Sequence, residues 1–282
     1  MKIGISGASG QLGKIVLDAL IARASGDEIV AISRTPETAT RTVARAGDYD
    51  KPESLAEAYA DLDRLLIIPG SDLAPGVRSR QGVDAVAAAV AAGVKHVHLL
   101  SATGTREKSD PAMGAAYWLS EQALLRSNVP CWTILRMNYF AETLAQEAQM
   151  AAATGMLPAL AENKVAYVSR DDVGAALAGA LATEGHGGAI YNLTGPASVS
   201  GGERAATLSA VLGKALQFAV LSEEQLRGGL NQGGLPPFIV DAIVSMQQSQ
   251  AEGAYDIVTG DVRKLAGRDP VSLETALSRV SN

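Results

Sequence analysis

The segment G-A-S-G-Q-L-G at residues 7–13 follows a short apolar run and opens onto a helix-like repeat. That order suits a pyrophosphate. Gly7 permits a tight turn, Gly10 lets the backbone N–H groups of a loop containing Ser9, Gln11 and Leu12 approach the phosphates, and Gly13 allows a helix to pack closely on the strand. The helix N-terminus adds partial positive charge aimed at the same anion. About 20 residues downstream, an acidic side chain would select NAD through its ribose 2′-hydroxyl. The chain instead reads Ser33, Arg34, Thr35 at that place, and its acids Asp27 and Glu28 stand at the other end of the strand. Two hydroxyls and a guanidinium fork suit a 2′-phosphate, so NADP(H) is expected in preference to NAD(H).

These residues need a scaffold, and the apolar pattern supplies one. Residues 2–6 form a β-like run, and Leu12, Ile15, Val16, Ala19 and Leu20 then recur at helical spacing. Further strands are predicted at 29–33, near Val43, at 65–69, at 94–101 and at 132–136, with helices between them. The clearest helix covers 77–92, where Val83, Val86, Val90 and Gly93 mark a face and alanine supplies high propensity. Alternating strands and helices predict an α/β fold with a parallel sheet covered on both sides. Beyond Arg136, Pro158, Pro196, Pro236 and Pro237 interrupt the apolar runs, which predicts a different, smaller unit.

With these segments in place, the chain resembles the NmrA-like group of atypical short-chain dehydrogenases/reductases. The resemblance rests on residues 7–13, V-A-I-S-R-T-P at 30–36, G-D-Y-D-K-P-E-S-L at 47–55 and A-A-G-V-K-H-V at 91–97. L-R-M-N-Y-F at 135–140, Y-N-L-T-G-P at 191–196 and G-L-P-P-F at 234–238 extend it over most of the chain. It implies a doubly wound parallel Rossmann sheet that binds NADP in residues 1–136. A smaller C-terminal α/β substrate domain is implied for residues 137–282, some of whose segments return to that sheet. By the same resemblance Asp48 lies near the adenine, Ile68, Pro69 and Gly70 line the cofactor, and Ser101 faces the nicotinamide. Met137, Asn138, Tyr139 and Phe140 follow the sixth strand at the edge of the cleft, and Phe238 stands in a lid-like segment after two prolines; all are candidates for the substrate pocket.

The larger superfamily protonates a carbonyl through a Tyr-x-x-x-Lys pair. Tyr117 fills the first place, but Glu121 stands at the second. On a helix the two share a face, and a carboxylate beside a phenol opposes its ionisation. Tyr117 is thus expected to orient a substrate oxygen, not to act as a phenolate relay. A quinone or another extended conjugated acceptor takes hydride without a strong acid, since the hydroquinone anion is far less basic than an alkoxide. Direct hydride transfer to a quinone-like or polycyclic aromatic acceptor, by positioning, is the leading expectation. Two others stay open: a quinone-directed monooxygenase in aromatic polyketide tailoring, and an NADP(H) sensor that does no chemistry.

Composition narrows the partners. The chain has 282 residues with 24 Lys+Arg against 30 Asp+Glu, a formal charge of −6, which repels nucleic acid on average. One cysteine, Cys131, precludes an internal disulfide or a multi-thiolate zinc site, and no apolar stretch reaches the length of a membrane span. His96 and His98 alternate on a strand and share a face, yet with His186 the third and last histidine they are expected to pack and to hold no metal. The expectation is a cytoplasmic enzyme, monomer or homodimer, with a small aromatic or quinone substrate and no nucleic-acid or membrane partner.

Overall fold

The computed structural model describes residues 1–23, 26–36, 42–107, 113–151 and 154–280. The first half alternates: β1 (Lys2–Ser6), α1 (Gln11–Arg23), β2 (Glu28–Ser33), β3 (Val43–Ala46), α2 (Pro52–Ala58) and β4 (Arg64–Ile67). Then come α3 (Val77–Ala91), β5 (His96–Ala102), α4 (Met113–Leu125) and β6 (Cys131–Met137). The second half contains α5 (Ala141–Ala151), β7 (Met156–Ala159), β8 (Lys164–Val165), α6 (Arg170–Ala182), β9 (Ala189–Leu193) and β10 (Val199–Ser200). It ends with α7 (Gly201–Leu212), β11 (Gln217–Val220), α8 (Glu223–Gln232), α9 (Pro237–Ala251), α10 (Asp261–Ala266) and α11 (Leu273–Val280).

Seven strands form one parallel sheet in the order β3-β2-β1-β4-β5-β6-β9. Both faces are covered, so successive side chains on a strand enter different cores. Leu65 and Ile67 of β4 pack with Leu55, Tyr59 and Leu124 under α2, α3 and α4, whereas Leu66 packs with Ile3, Val16 and Leu177 under α1, α6 and α10. β5 repeats the rule, with Val97 and Leu99 on the first side and Leu100 on the second. Helices α1 and α6 approach closely because Gly174 has no side chain; a Cβ there would sit 2.5 Å from Ile15 Cγ2.

Two features differ from the sequence pattern. Val83 of α3 is 37% exposed. The buried face carries small residues instead, including Gly82, Ala85 and Ala89, and a Cβ on Gly82 would collide with Ser120 Oγ of α4. Val86 is nevertheless buried and Val90 packs against the same core, so the expected valine stripe departs at Val83 alone, where close helix packing selected small neighbours. Gly93 does not belong to the face at all. It adopts φ 71° and terminates α3 as its N–H reaches Val90 O at 3.0 Å and the Val94 N–H reaches Ala89 O at 3.1 Å. The second half also divides: α6, β9 and α10 lie on the large sheet, while α5, α7, α11, β7 and β11 surround a separate core containing Leu144, Leu157, Leu208 and Leu277.

At the edge of the sheet where the strands begin, the three histidines converge, His96 and His186 linked through Thr133 and His98 joined by ring stacking. The His96 and His98 rings stack with centroids 4.0 Å apart. His96 Nε2 pairs with Thr133 Oγ1 at 2.8 Å, and that hydroxyl donates to His186 O at 2.7 Å. Arg64 caps the end of α6 through Leu181 O and Thr183 O. Among the described residues no group of three or more His, Cys, Asp or Glu is assembled to hold a metal. Burial, reinforced by Arg64 and His186, lowers His96 to about 4, and burial holds His98 well below its ordinary value. Both are therefore neutral in the fold and protonate more readily when unfolded, so their stabilisation is present above about 6.5 and is lost as pH falls toward 4. Thermal melts should show Tm declining across that window, with a smaller decline for His98→Leu; an unchanged acid limb in the variant would contradict this assignment.

Candidate functional site

A cleft of about 760 Å³ opens at the C-terminal ends of the strands. The sheet order reverses between β1 and β4, and such a switch point leaves a crevice where the loops depart in opposite directions. The glycine loop forms its floor. Gly7 has φ 89°, and a Cβ on it would lie 3.1 Å from Ile68 O, so the β1 and β4 loops meet across this residue. A Cβ on Gly13 would collide with Gly7 O and lie 2.8 Å from Ala8 Cα. Ser9, Gly10, Gln11, Leu12 and Gly13 line the cleft at the start of α1, where the first N–H groups of a helix lack intrahelical acceptors. This is a cradle for an anion.

At the end of β2, Ser33 and the exposed Arg34 line the same cleft. Thr35 is exposed and lies outside the lining, since three successive residues leaving a strand do not all turn to one side. Asp48, Tyr49 and Asp50 follow β3. Tyr49 donates to Ile68 O at 2.8 Å and ties this loop to β4; burial pushes its phenol far above the ordinary value. Asp50 accepts from Arg80 at 2.7 Å and from Gln81 at 3.1 Å, which holds its carboxyl below the usual range, with a smaller contribution from the charge of Arg34. Ile68, Pro69 and Gly70 continue the lining.

The opposite wing is largely aromatic and apolar. Tyr117 receives a hydrogen bond from Arg78 Nη1 at 3.2 Å, and the guanidinium lies 5.4 Å from its ring centre. Arg78 also donates Nε to Gly70 O at 2.9 Å, joining the two wings. Met137, Asn138, Tyr139 and Phe140 line the cleft beyond β6. Asn138 is buried and fixed, its Nδ2 on Tyr255 O at 3.1 Å and its Oδ1 on Tyr139 N at 2.7 Å. Arg170 lies over Phe140 at 5.0 Å.

Several expected positions are corrected by the geometry. Ser101 shares the strand face of Val97 and Leu99, so its hydroxyl turns under α4 while its neighbours Leu100 and Ala102 line the cleft. Fully buried, it donates to Glu121 Oε1 at 2.5 Å. Glu121 also takes a bidentate pair from Arg136, Nε at 2.8 Å and Nη2 at 2.6 Å. The carboxylate that was expected to burden the phenol is thus engaged behind the strands, and the charge beside Tyr117 is the cation Arg78. Phe238 is half-buried and outside the lining. Ile239, Ala242, Ile243 and Met246 of α9 form that wall, spaced as one helical stripe about 100° from Phe238. That i, i+3, i+4, i+7 repeat was readable in the sequence. Arg78, Tyr255 and Glu147 carried no local motif and are brought to the cleft by tertiary packing.

Residues 7–184 match a family model described as NAD(P)H-binding. Quinone oxidoreductase 2 of Escherichia coli (strain K12) is 29% identical over 99% of each chain. An NAD(P)H azoreductase of Xenophilus azovorans is 30% identical over 79% of this chain and 77% of its own. The crystal structure of the NADPH-dependent quinone oxidoreductase of Escherichia coli complexed with NADPH superposes with a TM-score of 0.90, at 28% identity, over 99% of this chain and 100% of that one. Matched across more than half its length and carrying the phosphate cradle at the switch point of its sheet, the chain belongs to the NAD(P)H-binding, NmrA-like oxidoreductases of the atypical short-chain dehydrogenase/reductase type.

Proposed function

We propose that the protein is an NADPH-dependent reductase that delivers hydride to a quinone-like or polycyclic aromatic acceptor. The observation that carries the reading is the composition of the acceptor wing: Tyr117, Met137, Tyr139, Phe140 and the α9 stripe make a broad apolar slot, and Tyr117 is paired with Arg78 where a lysine-assisted phenol would be needed for ketone chemistry. The bound nicotinamide would supply hydride. The glycine loop and the start of α1 hold the pyrophosphate, Ser33 and Arg34 face the 2′-phosphate, and Asp48, Tyr49, Ile68, Pro69 and Gly70 enclose the adenosine half. The acceptor wing stacks a flat ring and keeps water from it. An NADPH-dependent quinone oxidoreductase and an NAD(P)H azoreductase among the relatives support this reading.

NADPH consumption against simple and polycyclic quinones, with and without oxygen and with product masses, tests it. Anaerobic consumption with a two-hydrogen mass gain is expected. Consumption that requires oxygen and adds its mass would replace the reading with a monooxygenase; tight NADP(H) binding with every acceptor untouched would replace it with a sensor. The cofactor preference has its own test. Arg34→Ala should weaken NADPH binding roughly tenfold, because a charge-assisted hydrogen bond at an exposed site is lost, and leave NADH nearly unchanged. A preference for NADPH that survives Arg34→Ala would refute the role of this side chain.

A further inference from the structure

Helix α5 turns Thr143, Gln146 and Glu147 toward the cleft, three positions on one helical face. Glu147 is the ionisable one. Its Oε1 accepts a short hydrogen bond from the Tyr139 hydroxyl, and Tyr139 is held by edge-to-face contacts with Tyr167, at 5.9 Å and 79°, and with Tyr255, at 6.0 Å and 89°. The nearest cation facing this group is Arg204 of α7, which is 3% exposed and is used by Tyr167, to whose hydroxyl it donates at 3.1 Å, and by the Phe218 ring 5.0 Å away. The direct partner of the carboxyl is therefore a phenol. Each neighbour that could release a proton in its place is itself buried: Tyr139, Tyr167 and Tyr255 are all pushed above the ordinary phenol value. Burial likewise raises Glu147, offset in part by the Tyr139 hydrogen bond and by Arg204.

We propose that Glu147 is the proton donor to the substrate oxygen on the α5 wall, with Tyr139 as the residue that positions it. This rests on the reductase reading above. Reduction of a quinone to a hydroquinone requires two electrons and two protons. The hydride of NADPH supplies both electrons and one proton and leaves NADP+; the second proton leaves the Glu147 O–H as the substrate oxyanion takes it, and the resulting carboxylate is reprotonated by water at the cleft mouth. The donor need not be strong, because a hydroquinone anion is weakly basic, but it must be protonated near neutral pH and adjoin the acceptor. Glu147 lines the cleft among three tyrosines, its direct hydrogen-bond partner is a phenol, and burial pushes its carboxyl upward, toward the protonated form such a donor needs.

Three measurements decide it. Glu147→Gln should lower kcat with a quinone by roughly a hundredfold while NADPH affinity is kept, and should remove the alkaline limb of the pH profile. Tyr139→Phe deletes the hydrogen bond that favours the carboxylate, so the same limb should move to higher pH. Apart from turnover, the infrared difference between wild-type and Glu147→Gln apoprotein should contain a protonated carboxyl band at neutral pH that disappears on alkalinisation. A Glu147→Gln profile that superposes on wild type, a limb unmoved by Tyr139→Phe, or an ionised carboxyl at neutral pH would each overturn the proposal. Wild-type protein that consumes NADPH with no quinone would instead remove the reductase reading, whatever the infrared band shows.

Discussion

Gly13→Ala is expected to lose both folding stability and cofactor binding, and Gly10→Ala to lose binding alone. The distinction follows from what each added methyl meets. At Gly13 the new Cβ collides with the Gly7 carbonyl and lies 2.8 Å from Ala8 Cα, which is backbone on both sides and cannot swing away. Either α1 lifts from β1 or the loop opens. Overpacking of this kind costs about 3 kcal/mol, and the displaced N–H groups forfeit charge-assisted hydrogen bonds, for an affinity loss of roughly a hundredfold or more. At Gly10 the nearest atom to a new Cβ is Gly7 O at 3.3 Å, a tight but tolerable approach, and its other sides are open. That methyl occupies the space over the cradle. Chemical denaturation and NADPH titration of the two variants should therefore diverge, and a Gly13→Ala protein as stable as wild type would show that the loop has a freedom the backbone contacts deny.

The second large effect concerns the pair behind the strands. Arg136→Met strands the Glu121 carboxylate, whose side chain is 1% exposed, with Ser101 as its remaining strong partner. Removing one member of a buried ion pair costs about 3–5 kcal/mol, because the other charge keeps its desolvation penalty. Glu121→Gln should cost less, since the Arg136 side chain is 24% exposed and water can reach it. Replacing both, Glu121→Leu with Arg136→Met, should recover much of the loss. Denaturant midpoints of the singles and the double settle the point: a double variant no better than Arg136→Met would mean that packing, not uncompensated charge, is what the single change disturbs. The pair also bears on the cleft, since Ser101 and Arg136 alternate along β5 and β6 with Ala102 and Met137, which line it.

The cofactor wing was legible because its chemistry is local. A glycine loop directly after a strand, and Ser33 and Arg34 at the end of the next one, are short segments whose place at the cleft follows from backbone geometry, whereas Thr35 beside them lies outside it. The acceptor wing was legible in part. The residues after β6 were found because strand ends face the crevice, but Ser101 was misread since that rule gives a position along the strand and not the parity of the side chain. Tyr117 and Glu121 were correctly placed on one helix, yet which neighbours they meet depends on Arg78 and Arg136, distant in sequence and visible only once α3 and β6 pack beside α4. Phe238 was one residue out of phase with the α9 stripe. Glu147 carries no spacing signal, and its environment is made by three tyrosines from separate segments.

The position of β9 has a consequence for biosynthesis. β6 hydrogen-bonds on its outer side with residues 189–193, which follow it in the chain only after residues 138–188 have been made. Until then the nascent nucleotide-binding half ends in a bare strand bearing Trp132 and the thiol of Cys131, a template on which another chain could add. The last strand to dock comes from the half that also supplies α5 and α9 of the acceptor wall, so both follow synthesis of the nucleotide-binding half. A chain that stalls or is nicked between residues 138 and 188 is left adhesive, and the finished molecule should melt in a single cooperative step.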